Sequence, residues 1–178
     1  MALALESVTN ASLTGKREKG LATKLYYCRE EDILTFPSTD GVDFAGTGTI
    51  SGDIIFNTGK QFQELYCTME KGELKFTLEG EVDSKTFSSM AEIYIPSMSA
   101  NAIGFLETTK NDNFVILVRE TCGDYRIMGG GCLPVKMESA EGTTGKARGD
   151  AKGTTVTFTS VGGIAPIYTG AIQLTPAA

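Results

Sequence analysis

Between residues 62 and 95 apolar and polar side chains alternate one by one. Successive side chains of a strand point to opposite faces, so this period fits half-buried β-strands and no helix. Leu65, Cys67 and Met69 fall on one face, Glu64, Tyr66 and Thr68 on the other. After Glu70-Lys71-Gly72 the pattern resumes, with Leu74, Phe76 and Leu78 against Glu73, Lys75, Thr77 and Glu79. The expectation is a long β-hairpin over 62–95, closed by Gly72 at positive φ. A third strand, 86–95, returns with Phe87, Ala91, Ile93 and Ile95 in register. One face of this ribbon is expected to be core. The other carries charge and is where function is expected.

Around the ribbon the chain predicts more short strands. Residues 24–28 and 33–36 read as strands, separated by Arg29-Glu30-Glu31-Asp32 and stopped by Pro37. Residues 38–59 form a long Gly-, Thr- and Asp-rich loop with at most one short strand, at 53–56; loops of that length are usually binding or disordered segments. Residues 99–110 read as the one helix, capped by Ser99, with Lys110 in the last turn and Asn111 in a left-handed position. Its stripe is Ala102, Ile103 and Leu106, with Phe105 beside it, and Gly104 costs ~1 kcal/mol relative to Ala, so it needs packing against a sheet. Residues 114–118 (FVILV) predict a strand buried on both faces. Cys122-Gly123-Asp124 turns into a strand at 125–128, Gly129, Gly130 and Gly131 form a bend, and 133–137 is the next strand. A polar loop at 139–153, a strand at 154–161, a turn at 162–166 and a last strand at 167–174 complete the chain. The fold class is mainly β: a β-sandwich or barrel with one flanking helix. Residues 1–20 read as a flexible N-terminal arm and 21–178 as a single domain; a chain of this length buries ~70% of its unfolded surface.

Composition removes several functions. There is no histidine, so Ser-His-Asp and Cys-His catalysis are excluded. Cys28, Cys67, Cys122 and Cys132 form no CxxC pair, no zinc or other metal site is expected, and the cysteines read as small buried hydrophobes. The net charge of −6 and pI of about 4.8 lack the basic footprint of a nucleic-acid binder. Glu79, Glu81 and Asp83 alternate like an active-site cluster, but solvated strands commonly look the same. Gly142-Thr143-Thr144-Gly145-Lys146 lacks the first glycine and the final Ser/Thr of a phosphate loop, since Ala140 and Ala147 stand there. Arg148-Gly149-Asp150 matches the integrin tripeptide, yet Gly-Asp is ordinary turn chemistry. Tyr26, Tyr27, Phe62, Tyr66, Phe76 and Phe87 fall at strand periods and read as core or rim. The expectation is a protein without catalysis or cofactor. The opening residues show no secretory signal and nothing resembles a membrane anchor, which predicts synthesis in a reducing interior.

Several runs carry a family resemblance. Thr58-Gly59-Lys60-Gln61-Phe62 with Leu65-Tyr66, Gly72-Glu73-Leu74-Lys75-Phe76, Gly80-Glu81 and Ser84-Lys85-Thr86-Phe87 resemble the middle of tail-tube-type virion proteins of tailed bacteriophages. Asp112-Asn113-Phe114-Val115, Val118-Arg119, Tyr125-Arg126-Ile127-Met128-Gly129 and Tyr168-Thr169-Gly170 resemble the same group, so the likeness spans roughly 24–175. The resemblance implies a subunit of which six close into a ring. The rings stack into a tube, and a hairpin from each subunit lines a channel for double-stranded DNA that passes without tight binding. It implies location in the virion tail after synthesis in the host bacterial cytoplasm, with other tail proteins as further partners. The lumen-facing residues implied are Glu73, Lys75, Thr77, Glu79, Glu81 and Asp83. An acidic wall repels phosphates, although Lys75 and Lys85 make this one mixed. The inter-subunit loop implied is 38–59, with Asp40, Asp43, Phe44, Thr47, Ile50 and Asp53, joined by the N-terminal arm. Decoration or head–tail connector proteins share such an element order, and a β-sandwich binding module is the reading outside virions.

Overall fold

The structure, a computed structural model, describes residues 21–131, 133–147 and 149–177. The proposed arm at 1–20, Cys132 and the arginine of Arg148-Gly149-Asp150 lie outside them. In chain order the elements are β1 (Leu21–Arg29), a single 3-10 turn (Glu30–Asp32), β2 (Ile33–Thr35), α1 (Phe44–Thr47), β3 (Thr49–Ile50) and β4 (Ile55–Phe56). There follow β5 (Gln63–Tyr66), β6 (Glu73–Glu79), β7 (Thr86–Ile95), α2 (Ala100–Thr109), β8 (Phe114–Glu120), β9 (Tyr125–Met128), β10 (Lys136–Thr143), β11 (Gly153–Val161) and β12 (Ile167–Tyr168). The protein is mainly β, a sandwich with one helix of more than a single turn on its flank.

One sheet has six strands in the order β3-β12-β9-β8-β1-β5, the other four in the order β10-β11-β7-β6; β2 and β4 form a small separate pair. Alternation decides what lies between the sheets. Ala91, Ile93 and Ile95 on β7 and Val156 and Phe158 on β11 face Leu25, Phe114, Ile116, Val118 and Met128 on the larger sheet. The larger sheet is covered on its other face too. There Tyr26, Cys28, Val115, Leu117, Ile127 and Tyr168 pack with Ile50, Ile54, Phe56 and Phe62. Double coverage is why β8 is continuously apolar: Phe114, Val115, Ile116, Leu117 and Val118 are all 0–1% exposed. Each such side chain contributes roughly 1.5–3 kcal/mol of burial.

Partnership in the ribbon differs from expectation. Residues 63–66 do not pair with 73–79: β5 pairs with β1, Leu65 opposite Leu25, while β6 pairs with β7, Leu74 opposite Ala91 and Leu78 opposite Phe87. The chain changes sheet between two adjacent amides, as Cys67 N donates to Thr23 O and Thr68 N to Tyr94 O. Glu70-Lys71-Gly72 is thus the corner of the sandwich, and the left-handed residue is Glu70 (φ 63°), not Gly72. The apolar face also fails to stay buried. Cys67 is 2% exposed, but Met69, in the corner turn, is 49% exposed, and Phe76 and Leu78 are 58% and 49% exposed because β6 is the edge strand and runs past the core.

Other boundaries move for local reasons. Residues 38–59 are ordered by α1, β3 and β4 and by Ile50, Ile54 and Phe56, which anchor them on the larger sheet. Helix α2 packs through Ala102, Phe105 and Leu106, while Ile103 is 50% exposed; Lys110 is the C-cap, and Asn111 is not left-handed. The strand expected at 133–137 with a loop from 139 becomes β10, which is paired with β11 out to Thr143 across a bulge between Met137 and Ser139. The last strand is only Ile167–Tyr168. Residues after it are held by Phe62 N donating to Gln173 O (3.0 Å), and by Ala177, which exchanges bonds with Gly59 and Lys60.

Candidate functional site

The candidate surface is the outer face of the four-stranded sheet. Residues paired across an antiparallel sheet share a face, so the register defines it. From β6 come Glu73, Lys75, Thr77 and Glu79, opposite Glu92, Met90, Ser88 and Thr86 of β7. From β11 come Thr155, Thr157 and Thr159, and from β10 Lys136, Ser139, Glu141 and Thr143. Glu73 and Glu92 stand directly opposite, a like-charge pair that costs stability unless screened. Lys75 Nζ supplies the screening, 2.8 Å from Glu73 Oε2. Its pKa is raised by the Glu73 hydrogen bond and charge first, with Glu92 adding. The face is an array of hydroxyls with carboxylates outnumbering ammonium groups.

Four of the six residues expected to face a channel, Glu73, Lys75, Thr77 and Glu79, therefore do share one exposed face. Glu81 and Asp83 do not continue it. The strand ends at Glu79, and both lie in the turn, where Ser84 N donates to Glu81 O (3.0 Å) and Asp83 is left-handed (φ 70°). Gly80 is required there: at φ 102° a Cβ would sit 2.3 Å from Ser84 O. Glu92, Glu141 and the β11 threonines belong to the same face, although sequence reasoning did not place them there. The alternation of Thr155, Thr157 and Thr159 with Val156 and Phe158 was the signal that could have found them.

The 38–59 segment is stitched by its own acids. Asp43 caps α1, Oδ1 accepting from Gly46 N at 2.6 Å, and Thr47 Oγ1 donates to Asp43 O at 2.8 Å. Asp40 Oδ1 accepts from Ser51 Oγ at 2.8 Å, and Asp53 Oδ1 from Ala171 N at 2.7 Å. Ile50, expected at an inter-subunit contact, is 4% exposed and belongs to the core. Phe44 and Thr47 reach a cavity of about 600 Å³ that Phe87 and Leu133 also line, so this segment meets the base of the hairpin.

Among the described residues no cluster of His, Cys, Asp or Glu could hold a metal ion, and no helix is long and apolar enough to cross a membrane. Comparison with protein-family models, curated proteins and solved structures finds no match to this chain.

Proposed function

We propose that the protein is a non-enzymatic, self-assembling structural subunit of tail-tube type, whose copies close into rings that stack around a channel for DNA. The observation that carries this reading is the four-stranded sheet with two edges, β6 and β10, each hydrogen-bonded on one side only among the described residues. Its strands alternate in direction, so β6 runs opposite to β10. Rotating one copy about an axis along the strands brings its β6 antiparallel to the β10 of the next. An even-stranded antiparallel sheet can propagate in this way until the ring closes, removing both edges. From Ser139 to Thr143 the β10 ladder is regular, long enough to pair.

Closure would turn the hydroxyl-rich, net acidic face toward one side of the ring. On the inside it would hold phosphates off the wall, since binding needs cations to replace counterions and here carboxylates prevail. The sequence resemblance supports the same reading, with six copies per ring, a place in the virion tail, other tail proteins as partners and synthesis in the host bacterial cytoplasm.

Proline at an outward edge position blocks strand addition. Leu78→Pro on β6 and Ala140→Pro on β10, whose N–H groups point away from β7 and β11, are each expected to keep the β-type circular dichroism and to remove assembly seen by sedimentation. Assembly equal to wild type in both would refute edge-to-edge closure.

A further inference from the structure

The sandwich ends differently on its two sides. Strands β1 and β8 cross beneath the four-stranded sheet, antiparallel to each other, with Leu21 paired to Glu120 and Arg29 to Phe114. Leu21 and Glu120 lie on the β6 side, where both line an open groove of about 440 Å³ with Leu74, Phe76 and Ile164. Phe76 is 58% and Ile164 42% exposed there. Arg29 and Phe114 lie on the β10 side, since Phe114 and Val135, the residue before β10, exchange both backbone hydrogen bonds (2.8 and 2.9 Å).

Helix α2 closes the β10 side. It follows Met98, whose Cε lies 3.3 Å from the place a Cβ would take on Gly142, near the end of β10. It stops short of Phe114, which is held at the start of β10 by Val135. Between these points Phe105 meets Tyr27, ring centroids 5.2 Å apart, and Asp112 accepts from Arg29 Nε at 2.7 Å. The helix therefore lies under β10, with Ala102, Phe105 and Leu106 on the core and Ile103 50% exposed. One edge strand of the sheet thus covers an apolar groove, and the other covers a helix with an outward isoleucine.

Edge pairing alone is a small contact. The five residues Ser139 to Thr143 give a regular ladder. At ~3.4 Å per residue and a layer depth of ~10 Å they offer a contact of ~170 Å², against ~800 Å² per partner in a stable interface. A lasting ring therefore needs contact in the second layer too. The levels along the strands agree with one. Pairing carries Glu73 through Glu92 and Thr157 to Ser139, and Lys75 through Met90 and Thr159 to Lys136. Rotation about an axis along the strands preserves these levels, so α2 of one copy, running from Gly142 to Val135, reaches the level of Leu74 and Phe76 of its neighbour.

We propose that the groove under β6 receives helix α2 of the adjoining copy, Ile103 seated against Leu74, Phe76 and Ile164. The inference rests on edge-to-edge closure and names what fills the layer behind it. The partner is a second copy of this chain, and each copy gives its helix on one side and its groove on the other.

The test places a photo-crosslinking benzoylphenylalanine at Ile103 in the full chain, and in a second sample at Glu141 on the β10 edge. Each is mixed as equimolar isotopically light and heavy protein at high concentration. The expected adducts join light to heavy copies, from Ile103 to peptides carrying Leu74, Phe76 or Ile164 and from Glu141 to peptides carrying β6. Glu141 adducts of that kind with none from Ile103 to the groove would overturn this inference and leave edge-to-edge closure standing. Absence of light-to-heavy adducts from both positions would overturn the two together. Ile103→Asp, at an exposed position, is expected to keep the circular dichroism and to raise the concentration needed for assembly at least ~10-fold, because assembly would bury an unpaired carboxylate. Assembly of the folded variant at the wild-type concentration would contradict the proposal.

Discussion

Cys28, on β1, is 2% exposed within the apolar cluster on the outer side of the larger sheet, its Sγ 3.9 Å from Val115 O, and burial pushes its thiol pKa up to about 12. The raised folded value fixes a sign. The neutral thiol contributes stability fully below the ordinary value of 9.0, and that stability is lost as pH rises from there through about 12, because the unfolded state gives up its proton first. Urea unfolding from pH 8 to 11 is expected to show wild-type stability falling faster than that of Cys28→Ala, by up to ~1.4 kcal/mol per pH unit. Parallel profiles would contradict the burial. That Cys28 and Cys67 behave as small hydrophobes was legible, since both fall on apolar strand positions. The left-handed non-glycine residues were not: Glu70 takes positive φ in the corner where Gly72 was expected to, Asp83 takes it in the β6–β7 turn where none was expected, and Asn111 does not take it. Tertiary routing at the sandwich corner and the hairpin turn imposes that backbone, and local residue preference does not reveal it.

At the scale of elements, period two identified the strands but not their neighbours. The same alternation serves β5, which pairs with β1, and β6, which pairs with β7. Nothing in residues 70–72 distinguishes a hairpin turn from a crossing between sheets. The β10 strand was hidden because Glu138, Glu141 and Gly142 read as loop chemistry, while an edge strand need bury little. The helix was legible through Ser99, whose side chain accepts from Ala102 N, but its buried side was misjudged by one position at Ile103. Alternation and burial now part company along β6, which gives a stability prediction. Phe158→Ala, fully inside the sandwich, is expected to cost ~3–5 kcal/mol. Leu78→Ser, on the same parity of sheet face but 49% exposed, is expected to change stability by no more than ~1 kcal/mol. Urea denaturation of the two variants checks this, and equal losses would show that the hairpin end is covered in solution.

For the molecule as a whole, charge and topology bear on assembly together. The two apolar clusters lie on either side of the larger sheet, which leaves the four-stranded sheet with one core face and one polar face. Its polar residues from β6 were visible in the sequence, because strand period separates Glu73, Lys75, Thr77 and Glu79 from Leu74, Phe76 and Leu78. That the face widens through β7, β11 and β10, and that its two edge strands run antiparallel, depends on pairing between distant segments and emerges only in the fold. Ring closure through those edges is the central claim, and cryo-electron microscopy of the purified protein at high concentration tests it most directly. The account predicts closed, stacked rings in which β6 of each copy adjoins β10 of the next and the face bearing Glu73, Glu79 and Thr157 lines the axis. Single subunits at every concentration, or rings with that face turned to the outside, would contradict it.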